Sequence, residues 1–132
     1  MLRHIFIINV KEGISDDVVE QKMAEMRAMK EIETVIEDIT VGRTRGLFGR
    51  PDAVMMVVDL KDKAAFDVLL RSRTHIDIAE KAEEAFDMQS ADIAQIEYEP
   101  LKTESYADYQ IEQRHRNAGI GIRSIPSISR RV

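Results

Sequence analysis

The sequence predicts an α+β domain with the ferredoxin-like βαββαβ arrangement, and three observations carry that prediction. Residues 2–98 read in order as strand, helix, strand, strand, helix, strand. At their centre Ala53–Leu60 has seven apolar residues of eight; it is too short for a membrane span and follows the turn pair Pro51-Asp52. That run is apolar on both alternating faces, so it needs a cover on each side, and a chain of 132 residues has helices for one side only. Ala53, Met55 and Val57 are assigned to the helices, which leaves Val54, Met56 and Val58 for a second copy of the sheet.

Leu2–Val10 is the first strand, with Leu2, His4, Phe6, Ile8 and Val10 on one face and Arg3, Ile5, Ile7 and Asn9 on the other. Lys11-Glu12-Gly13 is a turn. Ser15 is a good N-cap, and Asp16 and Asp17 suit the positive end of a helix dipole. Val19, Met23, Met26 and Met29 or Lys30 follow at helical spacing and form a face that covers the sheet. Those methionines fit either core packing or an adaptable ligand surface. Residues 34–41 are the second strand, irregular near Glu37-Asp38.

Residues 42–51 hold three Gly, three Arg and no acid. They read either as an anion-binding rim or as a hairpin loop with solvated arginines. They are not a phosphate loop, since no Gly-Lys-Ser/Thr follows and the next element is a strand. Asp62 caps a helix carrying Phe66, Leu69 and Leu70, which breaks near Ser72-Arg73. Thr74-His75-Ile76-Asp77 has the pattern of a capping box, and Ile78, Ala82 and Phe86 continue that helix. Residues 91–98 are the last strand. Residues 1–99 therefore form the domain, and 100–132 are an extension with a polar helix over 104–116.

Net charge is −5, but residues 114–132 hold five Arg and no acid, so the remainder carries 14 basic against 24 acidic groups. An acidic body repels phosphate and argues against nucleic-acid binding. The basic extension, with Ile120, Ile122, Ile125 and Ile128, is expected to dock on the acidic body of its own chain or a partner's. With no Cys there are no disulfides and no thiolate metal sites. Only four consecutive apolar residues precede Asn9, too few for a signal peptide, so a cytoplasmic protein with no membrane association is expected.

In this order and spacing, several short stretches carry a family resemblance. They are Leu-Arg-His-Ile-Phe at the start, Lys-Glu-Gly-Ile-Ser before the first helix and Val-Gly-Arg after the second strand. Pro-Asp-Ala-Val-Met-Met-Val-Val-Asp-Leu, Arg-Thr-His-Ile and Ile-Glu-Tyr-Glu-Pro follow. Over residues 2–98 the chain resembles the stress-responsive A/B barrel (Dabb) family. The resemblance implies a homodimer in which two four-stranded sheets close a dimeric α/β barrel. It also implies a cavity between sheet and helices, in which a plant polyketide cyclase of the family performs an aldol cyclisation. His4 and His75 stand at two of that enzyme's cavity histidines. Val54 and Val68 stand where it has a further His and a Tyr.

His4, His75 and His115 are the three histidines, and none has metal-ligand spacing to another, so no metal or organic cofactor is implied. His4 is either a satisfied core histidine or a catalytic one. His75, in a helix's first turn where the dipole disfavours imidazolium, is either an exposed helix-start residue or a general base. His115 belongs with the basic extension. Asp52 either orients a partner or simply begins a strand. Phe6, Val54, Met56 and Val68 are candidate pocket residues.

The function expected is a homodimer binding a small apolar or carbonyl-containing molecule, with a cofactor-independent lyase or cyclase activity run by His4 and His75. The alternatives are a non-catalytic ligand-binding or assembly module, or a cofactor-free monooxygenase of the dimeric-barrel group. An open cavity holding both imidazoles separates the first reading from a cavity filled by Phe6, Met55 and Met56.

Overall fold

In the computed structural model, which describes residues 1–100 and 106–119, the chain runs β1 (Leu2–Val10), α1 (Asp16–Ile32), β2 (Ile36–Arg43) and β3 (Ala53–Leu60). It continues through α2 (Lys63–Arg71), α3 (Arg73–Lys81), a 3-10 turn (Ala82–Glu84), β4 (Phe86–Glu97) and α4 (Tyr106–Gly119). The four strands form one antiparallel sheet in the order β2-β3-β1-β4, the ferredoxin-like topology. Residues 1–99 are one compact unit, and Pro100–Val132 are another. In the second unit α4 runs through Asn117-Ala118-Gly119 rather than stopping before them, and Arg116 pairs with Glu112 at 2.7 Å. The docking expected of Ile120, Ile122, Ile125 and Ile128 lies outside the described residues. Among those described, no helix is long and apolar enough to cross a membrane.

Local chemistry sets the helix starts. Ser15 caps α1 by accepting from the Val18 amide at 3.3 Å, and Asp62 caps α2 by accepting from Ala65 at 2.9 Å. Val19, Met23, Met26 and Met29 of α1 are all buried against the sheet. Lys22 is buried among them; its ammonium donates to the Lys81 carbonyl at 3.2 Å and to Glu84 at 3.0 Å, tying α1 to the end of α3.

Three features differ from expectation. First, the sheet faces are exchanged: Val54, Met56, Val58 and Leu60 are buried under the helices, whereas Met55 is 38% exposed and Val57 is partly exposed on the opposite face. Alternation tells which residues share a face but not which face meets the helices. The ladder settles it, since Val58, Met56 and Val54 lie beside His4, Phe6 and Ile8. The open face thus presents Ile5, Ile7, Met55 and Val57, with the Arg3–Asp59 pair at one end (2.7 and 3.0 Å).

Second, Phe86 is not helical. It is wholly buried at the start of β4, opposite Val10, and Ala85 accepts from the Lys11 amide at 2.9 Å. The i, i+4, i+8 apolar series ran past the true helix end because a buried strand residue can prolong it by chance. β4 is consequently longer than expected and shifts register against β1 between Ile7 and Asn9, where the Asn9 amide donates to Ser90 Oγ at 2.8 Å.

Third, Thr74 does not cap α3; Ser72 does, and α2 ends at the same residue. The irregularity expected near Glu37-Asp38 is present as a register shift between Ile36 and Asp38.

Two of the loop arginines are occupied internally. Arg43 grips Asp52 with two hydrogen bonds (2.8 and 3.0 Å) and reaches Asp16, holding the Asp52 carboxyl below its usual range. Asp52 therefore anchors the loop. Arg50 donates to Asn9, to the Ser90 carbonyl and to Asp92. These contacts favour a loop pinned to its own domain over an anion rim. At its tip Phe48 is fully exposed and Leu47 largely so.

Candidate functional site

The site is built where the helix-facing side of β1 meets α2 and α3. Strand alternation turns Leu2, His4, Phe6 and Ile8 toward the helices. Ser72 determines the position of His75. Its hydroxyl donates to the Leu69 carbonyl at 2.7 Å, closing α2, and accepts from the His75 amide at 3.2 Å, opening α3. His75 is thereby fixed in the first turn of α3.

Both imidazoles line one cavity of about 460 Å³ between the sheet and the helices. Its apolar wall takes Met26 and Met29 from α1, Phe66 from α2, Ile78 from α3, Met56 from β3 and Met88 from β4. The α1 methionines thus serve both core and cavity. His4, His75 and Gln95 are the polar side chains lining it. Phe6 and Met56 take part without filling it, and Met55 is on the far face of the sheet. Val54 is wholly buried beside Ile8 and Val68 is 52% exposed on α2; neither is a lining residue.

His4 is nearly buried. Its Nδ1 lies 3.0 Å from the Gln95 amide nitrogen, and its ring packs on Phe66. Burial pushes its pKa below the ordinary value, and the nearby His75 pushes it the same way. Burial also lowers the pKa of His75, opposed by the backbone carbonyl of Leu70, yet no hydrogen bond reaches its buried Nδ1. Both shifts favour the neutral ring, the state in which an imidazole can accept a proton at one nitrogen or donate from the other. His115 is exposed on α4. Among the described residues, no group of three or more His, Asp or Glu side chains is placed to hold a metal.

The sequence reading missed Gln95, Met88 and Ile93 as cavity residues. The signal was weak: all three belong to an edge strand where polar and apolar residues mix, and only their register against β1 brings Gln95 beside His4 and Ile93 beside Phe6.

The fold and the cavity define a ferredoxin-like α+β protein with a mostly apolar, two-histidine chamber under its helices. No protein-family model and no curated protein matches the sequence. Solved structures do resemble it. Hydroxynitrile lyase from Passiflora edulis superposes with a TM-score of 0.61 at 17% identity, over 79% of this chain and 96% of that one. SnoaB, a cofactor-independent oxygenase from Streptomyces nogalater, gives 0.62 at 13% identity, over 78% and 97%. A dimeric ferredoxin-like protein of unknown function from Thermobifida fusca gives 0.64 at 18% identity, over 74% and 90%. At such identities the likeness is one of fold.

Proposed function

We propose that this chain is a homodimeric, small-molecule-binding protein of the stress-responsive A/B barrel kind. In this reading its cavity performs cofactor-independent lyase or cyclase chemistry on a small carbonyl compound. The carrying observation is that His4 and His75, from separate elements, line one mostly apolar cavity in which burial favours the neutral form of both rings. An apolar chamber with few polar groups suits a largely apolar molecule with one reactive polar centre.

One imidazole takes a proton from the carbon next to a carbonyl, and the electron pair left behind moves onto the oxygen as an enolate. The other donates a hydrogen bond to that oxygen. The enolate carbon then attacks a second carbonyl in a cyclisation: the carbon–carbon bond forms, the carbonyl π pair becomes an alkoxide, and the imidazolium returns its proton to that oxygen. A lyase runs the reverse, the imidazole taking a hydroxyl proton as the carbon–carbon bond breaks and the imidazolium protonating the carbanion that leaves. The open sheet face, with Ile5, Ile7, Met55 and Val57 contiguous across β1 and β3, supports pairing with a second copy about a two-fold axis. Dimeric proteins among the similar structures support the same assembly.

The test is mass spectrometry of small molecules that co-purify with the native protein, followed by turnover of compounds of that class. Replacing either histidine, as His4→Asn or His75→Gln, is expected to lower turnover about a hundredfold or more while the fold is retained. A co-purifying ligand that the wild type binds and never converts would leave a binding module.

A further inference from the structure

We propose that Gln95 is a positioning residue that sets the tautomer of His4, making His4 the hydrogen-bond donor of the cavity and His75 its base. The division of roles rests on the acid/base reading above; the tautomer does not.

Gln95 is the direct partner of His4 in the β1–β4 ladder, so the strand register alone brings the two side chains together on the cavity side. The Gln95 amide nitrogen, 3.0 Å from Nδ1 of His4, has only hydrogens to offer. Nδ1 must therefore accept with its lone pair, and the proton of the neutral ring sits on Nε2. No protein group among the described residues engages that Nε2, and it is not enclosed, since the buried unpartnered nitrogen of the site belongs to His75. His4 thus offers the cavity an N–H held in place from behind, suited to a carbonyl oxygen that gains negative charge. It has no lone pair there with which to abstract a proton.

His75 takes the other role by elimination. It lines the same cavity, and its Nδ1 is buried with no hydrogen-bond partner. In the acid/base reading a proton must be accepted by a ring nitrogen whose lone pair faces the cavity, which His4 does not offer. That leaves Nε2 of His75, with the proton of its neutral ring on Nδ1. Two histidines of the same residue type are thereby made unlike, with an amide donor behind one and no hydrogen-bond partner at the buried nitrogen of the other.

The experiment is the long-range proton–nitrogen correlation spectrum of ¹⁵N-labelled protein at pH 8, which reads the tautomer of each neutral imidazole without any substrate. Wild-type His4 is expected with its proton on Nε2. Gln95→Glu, whose carboxylate can only accept, should move that proton to Nδ1, and Gln95→Leu should give a mixture. A wild-type His4 protonated on Nδ1, or one whose tautomer is the same in Gln95→Glu and Gln95→Leu as in the wild type, overturns the proposal. A side chain that merely stabilised the strand would alter stability and leave the tautomer alone. Should Gln95→Glu fail to fold, the wild-type and Gln95→Leu spectra still decide. If the tautomers are as expected and neither histidine affects any turnover, the proposed reaction falls and the role of Gln95 stands.

Discussion

The imidazole of His4 lies against the ring of Phe66, with centroids 4.9 Å apart and planes inclined at 42°. A tilted pair of this kind is favourable for aromatic rings, and here it fastens α2 to β1. The contact also explains how a histidine on a cavity wall is only 7% exposed.

The first prediction follows from that burial. The folded-state pKa values of His4 and His75 lie below the ordinary 6.5, so between those values and 6.5 the unfolded chain binds more protons. Stability due to these groups is complete above about pH 6.5 and is lost as pH falls through the folded-state values. Urea midpoints measured from pH 8 to pH 5 should fall, and His4→Asn should flatten the slope. An equal slope in wild type and variant would show that His4 is not buried neutral.

Assembly is tested on the two faces of β3. Val57→Asp places a carboxylate on the open face and should yield a folded monomer, whereas the wild type is expected to sediment as a dimer. Val58→Asp places it under the helices, where an unpaired buried charge costs on the order of 3–5 kcal/mol and should unfold the domain. Sedimentation velocity with far-ultraviolet circular dichroism distinguishes the two outcomes. A wild-type monomer at micromolar concentration would remove the dimer.

The cavity can be filled without touching either histidine. Ala79 of α3 lines it and is exposed. Ala79→Leu should occupy part of the chamber, reduce the co-purifying ligand at least tenfold and change stability by less than about 1.5 kcal/mol, because the added methyl groups enter existing space. Full ligand retention would place binding elsewhere.

Ser72 joins two helix ends through one hydroxyl. Ser72→Ala removes the cap of α3 and should cost about 1 kcal/mol. It should also loosen His75, so turnover is expected to fall more than stability alone explains. Thr74→Ala, at the residue that does not cap, should have little effect on either. Equal losses in the two variants would contradict the observed cap.

The candidate site was half legible in the sequence. His4 and His75 stand out as rare, titratable residues in otherwise apolar or helix-start settings, and Phe6 shares the strand face of His4. Met56 was named as a pocket candidate although its strand face was assigned away from the helices. Val54 and Val68 were inferred by position in a resembling family, and neither borders the chamber. Gln95 carried no mark in the sequence. A glutamine on an edge strand is ordinary, and its significance comes wholly from the residue opposite.

By itself the sequence determined the order of elements, the bounds of β1 and β3 and the caps Ser15 and Asp62. These depend on local matters, namely the apolar period of a segment and the hydrogen-bonding capacity of the residue before a helix. Only the tertiary structure decided which face of β3 meets the helices, where α3 gives way to β4, and that Gln95 stands behind His4. The reason is that a strand's period fixes two faces without labelling them. Helix and strand also compete for the same buried Phe86, and a cross-strand neighbour exists only once the register is set. The choice of faces was nonetheless within reach: Asp59 shares its side with Met55 and Val57, and Leu60 shares the other with Val54, Met56 and Val58. The face that contains a carboxylate is the one least suited to lie beneath an apolar helical layer.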